Sequence, residues 1–150
     1  MAAKDGTVAA DERGPRISVE QNGRARPGKE GGWHIAWRIR NLEKDAITVQ
    51  AARLPHGRFK SEERRFANGL AIPRDMSVTL DFAVDCRESP GSVVDNAFLI
   101  LEVNRLQVSW RIFVRFKVAF NEAGEPETKT ELTTVQRVGF SASSKTKDHG

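Results

Sequence analysis

Few residues in this chain are of a type and spacing that could do chemistry. The three histidines, His34, His56 and His149, are far apart, and none stands at a Cys-His or His-Glu spacing that makes a metal-ligand set. The single cysteine, Cys86, lies in "VDCRES", where acidic neighbours raise a thiol's pKa and weaken it as a nucleophile. No serine occupies a Gly-x-Ser-x-Gly elbow. "PGKEGG" has glycines but not the strand-to-helix setting of a phosphate loop. Asp81, Asp85, Glu62 and Glu63 are carboxylates whose spacing alone assigns no acid or base role. The expectation is a protein that is not an enzyme, with no catalytic residue, no metal and no cofactor.

Binding is the more informative question, and "VSWRIFVRFKV", Val108 to Val118, poses it. Every second residue gives one apolar face, Val108, Trp110, Ile112, Val114, Phe116 and Val118. The other face alternates cations with a ring: Ser109, Arg111, Phe113, Arg115 and Lys117. Cations with an aromatic between them can hold phosphates and stack a base, which is what a single-stranded nucleic acid needs. Arg38 and Arg40 would extend that platform if their strand lay alongside. A protein partner reads the same face differently. Phe98 and Ile100, from the preceding segment, join Phe113 as an apolar cluster rimmed by Arg111 and Arg115. Docking of an unknown protein partner, or of a second copy, is the preferred expectation, and single-stranded nucleic acid on Arg38, Arg40, Arg111, Phe113, Arg115 and Lys117 ranks second.

The elements that must position these residues are strands. "WHIAWRIR" puts Trp33, Ile35, Trp37 and Ile39 on one face; "SVTLDFAV" does so with Val78, Leu80, Phe82 and Val84; "AITVQAARL" does so with Ile47, Val49 and Ala51. "ISVE" and "TELTTVQRV" are further strand candidates, the latter an edge, and "KSEERRF" is an irregular crossover or a short edge strand. Gly, Pro and Asn/Asp clusters such as "NLEKD", "ANGLAIPRD", "CRESPGS" and "NEAGEPE" separate the runs. A hairpin turning at Asn104-Arg105 would set Leu101 against Val108 and Leu99 against Trp110, all facing one way. No segment keeps a helical apolar stripe over three turns.

The spacing of these runs predicts an all-β fold, a single antiparallel β-sandwich of seven to eight strands, with a closed antiparallel β-barrel as the alternative. In strand pattern, over about Pro15 to Phe140, the chain resembles an immunoglobulin-like or fibronectin-III-like sandwich in the broad architectural sense. It carries no cysteine pair and no tyrosine, so the disulfide and tyrosine corner of antibody-type domains are missing. Residues 14–140 are expected to form the domain, with disordered tails at 1–13 and 141–150, both too poor in apolar side chains to offset ordering.

Composition agrees with one globular domain. Of 150 residues, 39% are hydrophobic and 29% charged, and 24 Lys+Arg against 20 Asp+Glu leave a formal charge of +4. That excess permits anionic partners without requiring them. One cysteine, no signal-peptide core, and no apolar run near the roughly eighteen residues of a membrane helix together predict a cytoplasmic protein without a membrane partner.

Overall fold

A computed structural model describes residues 13–26, 32–55 and 57–138. The outer parts of the expected tails, and His56 and His149, lie outside them. The described residues form eight antiparallel strands: β1 (Ile17–Ala25), β2 (Gly32–Asn41), β3 (Ile47–Leu54), β4 (Ser61–Ile72), β5 (Ser77–Asp85), β6 (Val93–Arg105), β7 (Val108–Phe120) and β8 (Pro126–Val138). They make two sheets, β1-β2-β5 and β4-β3-β6-β7-β8. The fold is the expected sandwich and not the barrel.

The two sheets stay separate because their flanks are stitched by side chains and one isolated backbone bridge rather than by continuous ladders. On one flank Gln21 stands at a β1 bulge, and its amide acts as a substitute strand partner for β8. Its Nε2 donates to the Pro126 carbonyl (3.2 Å), and its Oε1 accepts from the Thr128 N–H (2.7 Å). Thr130 Oγ1 donates to the Val19 carbonyl (2.7 Å). On the other flank Lys60 and Asp85 exchange both backbone hydrogen bonds, and Arg64 donates to the Asp81 carbonyl. These edge N–H and C=O groups are thereby satisfied without closing a ring of strands.

Alternation decides which side chains fill the space between the sheets. Trp33, Ile35, Trp37 and Ile39 of β2, Leu80, Phe82 and Val84 of β5, and Ile112, Val114, Phe116 and Val118 of β7 are all buried there. Trp37 is the centre: it stacks on Phe116 (5.6 Å between centroids, 14° between planes), meets Phe59 edge-on (6.2 Å) and Phe82 at a tilt (5.7 Å). All three tryptophans are buried, so none is a surface platform for a sugar.

Three local readings are corrected. "SEERRF" and all of "ANGLAI" form one long edge strand, β4, whose register against β3 breaks between Val49 and Ala51 and again between Ala52 and Leu54. Gly69 there has φ +75°, and a Cβ would sit 2.3 Å from the Thr48 methyl, which only glycine avoids. The same bulge in β3 moves Ala51 off the core cluster and puts Ala52 into it. Finally, the β6–β7 hairpin turns at Leu106-Gln107, not Asn104-Arg105. Both turn residues have positive φ (51° and 67°), as a type I′ turn requires. Asn104 supports the turn from outside it, accepting the Gln107 N–H on Oδ1 (3.1 Å). Arg105 stays in the ladder opposite Val108, 6% exposed, with its guanidinium 5.8 Å from the Trp110 ring and 3.8 Å from Glu43.

Candidate functional site

Moving the turn by two residues exposes Leu106, expected inward opposite Val103, at the tip (63% exposed), but keeps the outward residues of β6 and β7 on their expected face while changing their neighbours. On the outer face of the five-stranded sheet, Ile100 now stands directly opposite Phe113, Phe98 opposite Arg115, and Glu102 opposite Arg111. β8 adds Thr134 beside Phe113, Leu132 beside Arg115, and Gln136 beside Arg111. From β3, Arg53 pairs with Ile100. Phe98, Ile100, Phe113 and Leu132 thus form one apolar band across three strands. Ile100 is 8% exposed, Phe98 and Phe113 are half-buried, and Leu132 is 48% exposed. No strand among the described residues packs over this face.

The charges around the band are mostly spoken for. Glu102 accepts from Arg53 (3.3 Å) and Arg65 (3.4 Å), and Glu63 binds the same two arginines (3.3 and 3.0 Å). Arg115 lies 3.6 Å from Glu131, and Lys117 lies 3.9 Å from Asp95. Glu102 turns toward β3 and β4, so Arg111, its cross-strand neighbour, has no carboxylate partner among the described residues. The Arg111 Nε is buried and unbonded there. Lys129, directly opposite Lys117, also has no carboxylate partner among the described residues, so the face offers an apolar band with two uncompensated cations, Arg111 beside it and Lys129 farther along, not a field of free cations. These ion pairs are partly exposed, so each stabilises by no more than about 1 kcal/mol.

The nucleic-acid set is divided by the topology. Arg111, Phe113, Arg115 and Lys117 share the outer face of β7, but Arg38 and Arg40 belong to β2 in the other sheet. The inward residues of β2 are buried between the sheets, so Arg38 and Arg40 point from the opposite surface of the sandwich. Their surroundings are small and polar: Arg38 pairs with Glu20 (3.3 Å), and His34 meets Asp81 (3.2 Å). They cannot extend the β7 row, because alternation within β2 and β2's place in the other sheet both direct them away.

No comparable concentration of reactive groups is present elsewhere among the described residues. No three or more His, Cys, Asp and Glu side chains come together as a metal site would. Two depressions of about 370 and 390 Å³ are open surface dips lined chiefly by polar side chains. No helix among the described residues is long and apolar enough to cross a membrane. No protein-family model matches the chain, and no curated protein matches it.

Cys86 is 4% exposed at the end of β5, and its thiol is pushed up to about 12, first by burial and then by Asp85 and Glu88. At pH 8 it is a neutral, inaccessible thiol. Iodoacetamide is expected to label Cys86 in urea and to leave it unlabelled in the folded protein over the same hour. Rapid labelling without denaturant, read by mass spectrometry, would contradict the burial.

Leu132, Arg53 and Arg65 were not among the residues singled out from sequence. Each is ordinary within its own strand. Their proximity to Phe113 comes from strand order, which one strand's pattern does not encode.

Proposed function

We propose that the protein is a non-catalytic interaction module, working in the cytoplasm, that presents the outer face of its five-stranded sheet to a protein partner or to a second copy of itself. The observation that carries this reading is the band Phe98–Ile100–Phe113–Leu132, over which no strand of the described residues packs, on a face whose charges are mostly paired. Half-buried rings lose little conformational freedom on binding and exclude water over a large area, as the anchors of protein interfaces do. The Arg111 guanidinium at the edge of the band gives the partner a place for one carboxylate. A polyanion needs a surplus of free cations instead, and this face holds Arg53, Arg65, Arg115 and Lys117 against Glu63, Glu102, Glu131 and Asp95, leaving Arg111 and Lys129 without a carboxylate among the described residues.

The architecture is read as immunoglobulin-like or fibronectin-III-like in the broad architectural sense, and strand order is compatible with that. With β1 to β7 taken as strands A, B, C, C′, E, F and G, the sheets are A-B-E and C′-C-F-G. β8 is an added strand beside β7, and it supplies Leu132 to the band.

Phe113→Lys places a charge at the centre of the band without touching the core. It is expected to weaken association by about 2 kcal/mol, roughly thirtyfold, while leaving the urea midpoint nearly unchanged. Light scattering of wild type and variant reads self-association, and affinity capture from the native cell extract reads partner loss. Monomers in both cases, with the same captured proteins, would remove the proposal.

A further inference from the structure

We propose that the C-terminal half of β8 is a pairing edge whose occupant is the same strand of a second copy of this chain, aligned antiparallel about a two-fold axis at Val135. β8 borders the five-stranded sheet. Gln21 reaches the Pro126 carbonyl and the Thr128 N–H from outside, so the inward-facing residues of β8 turn their backbone groups away from β7. Beyond the extra residue Glu131 the pairing with β7 resumes. Thr133 and Val135, opposite the inward residues Val114 and Ile112, therefore turn their backbone groups away as well. Those groups have no hydrogen-bond partner among the described residues.

The other borders are interrupted or bridged. β4 carries two register breaks and the left-handed Gly69, and it is tied to β5 by the Lys60–Asp85 bridge and by Arg64 on the Asp81 carbonyl. β1 and the first half of β8 are tied to each other by Gln21 and Thr130. Residues 132–136, "LTTVQ", have none of these devices. They hold no charge, no proline and no glycine, and Thr133, Thr134 and Val135 are β-branched. An unblocked, uncharged edge of that kind is where another strand adds to a sheet.

Self-complementarity selects the occupant. About Val135, Leu132 stands opposite the copy's Val138, Thr133 opposite its Arg137, Thr134 opposite its Gln136, and Val135 opposite itself. Each pair joins two outward residues or two inward ones, as strand pairing requires. The Val135 backbone groups of the two copies face each other and exchange both hydrogen bonds. Leu132, 48% exposed, gains an apolar neighbour, and Arg137 meets a threonine instead of a second arginine. An axis at Thr134 would set Leu132 against Gln136 instead. The axis at Val135 runs perpendicular to the sheet, so the dimer turns both outer faces, and both apolar bands, in one direction. The pairing uses the edge and not the face, so it does not rest on the docking reading above.

The experiment is sedimentation velocity of the full chain over a concentration series, with residue-resolved amide exchange at both ends of the series. A reversible dimer is expected at high concentration, where the Thr133 and Val135 amides exchange about tenfold more slowly than on dilution. Thr133→Pro removes an N–H that does not serve β7, so the urea midpoint moves little while the dimer dissociation constant rises about tenfold. Should that variant fail to fold, the concentration dependence of Val135 exchange in the wild type decides alone. Phe113→Lys leaves this dimer intact: association lost in Phe113→Lys belongs to the face, and association lost in Thr133→Pro belongs to the edge. A monomer at every concentration overturns the proposal, and so does a dimer that a folded Thr133→Pro leaves unchanged. Val135 protection that persists in the dilute monomer also overturns it, by showing the edge covered within one chain.

Discussion

Trp37→Ala is expected to remove about 3–5 kcal/mol of stability, a large part of what a domain of this size possesses. Trp37 is fully buried and touches rings from both sheets: Phe82 from β5, Phe116 from β7, and Phe59 from the β3–β4 connection. Truncation leaves a cavity where the sheets meet, and stiff strands on either side cannot collapse into it. The Trp37 Nε1 also donates to Thr128 Oγ1 (3.3 Å), so the same residue ties β2 to β8. Trp37→Phe should keep most of the packing and lose only that bond, costing less than truncation. Urea unfolding followed by circular dichroism reads both variants, with unchanged m-values indicating intact two-state behaviour. A loss below about 1 kcal/mol for Trp37→Ala would place the centre of the core elsewhere.

Asn41→Leu is expected to cost about 2–4 kcal/mol although leucine has nearly the same size. Asn41 is fully buried at the end of β2. Its Nδ2 donates to the Asp45 carbonyl (2.8 Å) and the Ile72 carbonyl (3.0 Å), while its Oδ1 accepts the Glu43 N–H (2.8 Å). One amide therefore folds the β2–β3 connection and binds it to the end of β4 in the other sheet. Leucine would remove the side-chain partner of two carbonyls and an N–H, the Ile72 carbonyl in a fully buried site, and a buried unpaired group is costly. Amide exchange at Glu43 should accelerate more than exchange in the middle of β7. An unchanged urea midpoint would show that water replaces the side chain without loss. In the sequence "RNLEKDA" Asn41 reads as an ordinary turn residue, and nothing in that run distinguishes it from Asn121. Asn121 makes a similar set of bonds in the β7–β8 connection, accepting from the Ala123 and Glu125 N–H groups, but it is only partly buried.

The hairpin shows what a strand pattern leaves open. A two-residue slide of the turn preserves the inward or outward assignment of every residue that stays in the strands, because side chains repeat every second residue. Alternation therefore places Phe98, Ile100, Phe113, Arg111 and Arg115 on one face under either register. It does not say that Ile100 meets Phe113 or that Glu102 meets Arg111. Those pairings follow from where the chain reverses. Leu106-Gln107 is a poor turn sequence by local preference, but it keeps Arg105 in the ladder beside Trp110 and within reach of Glu43.

By itself the sequence determined the all-β class, the two-sheet sandwich, most strands, the inward-facing residues and the outward row of β7. Each of these depends on period-two alternation and turn residues, which act over a few positions. Only the tertiary structure decided that Arg38 and Arg40 face the opposite surface from Arg111 and that Leu132 completes the apolar band. Those facts depend on which strands become neighbours, and neighbours are chosen by the fit of both sheets around Trp37, a property of the whole chain rather than of any one segment.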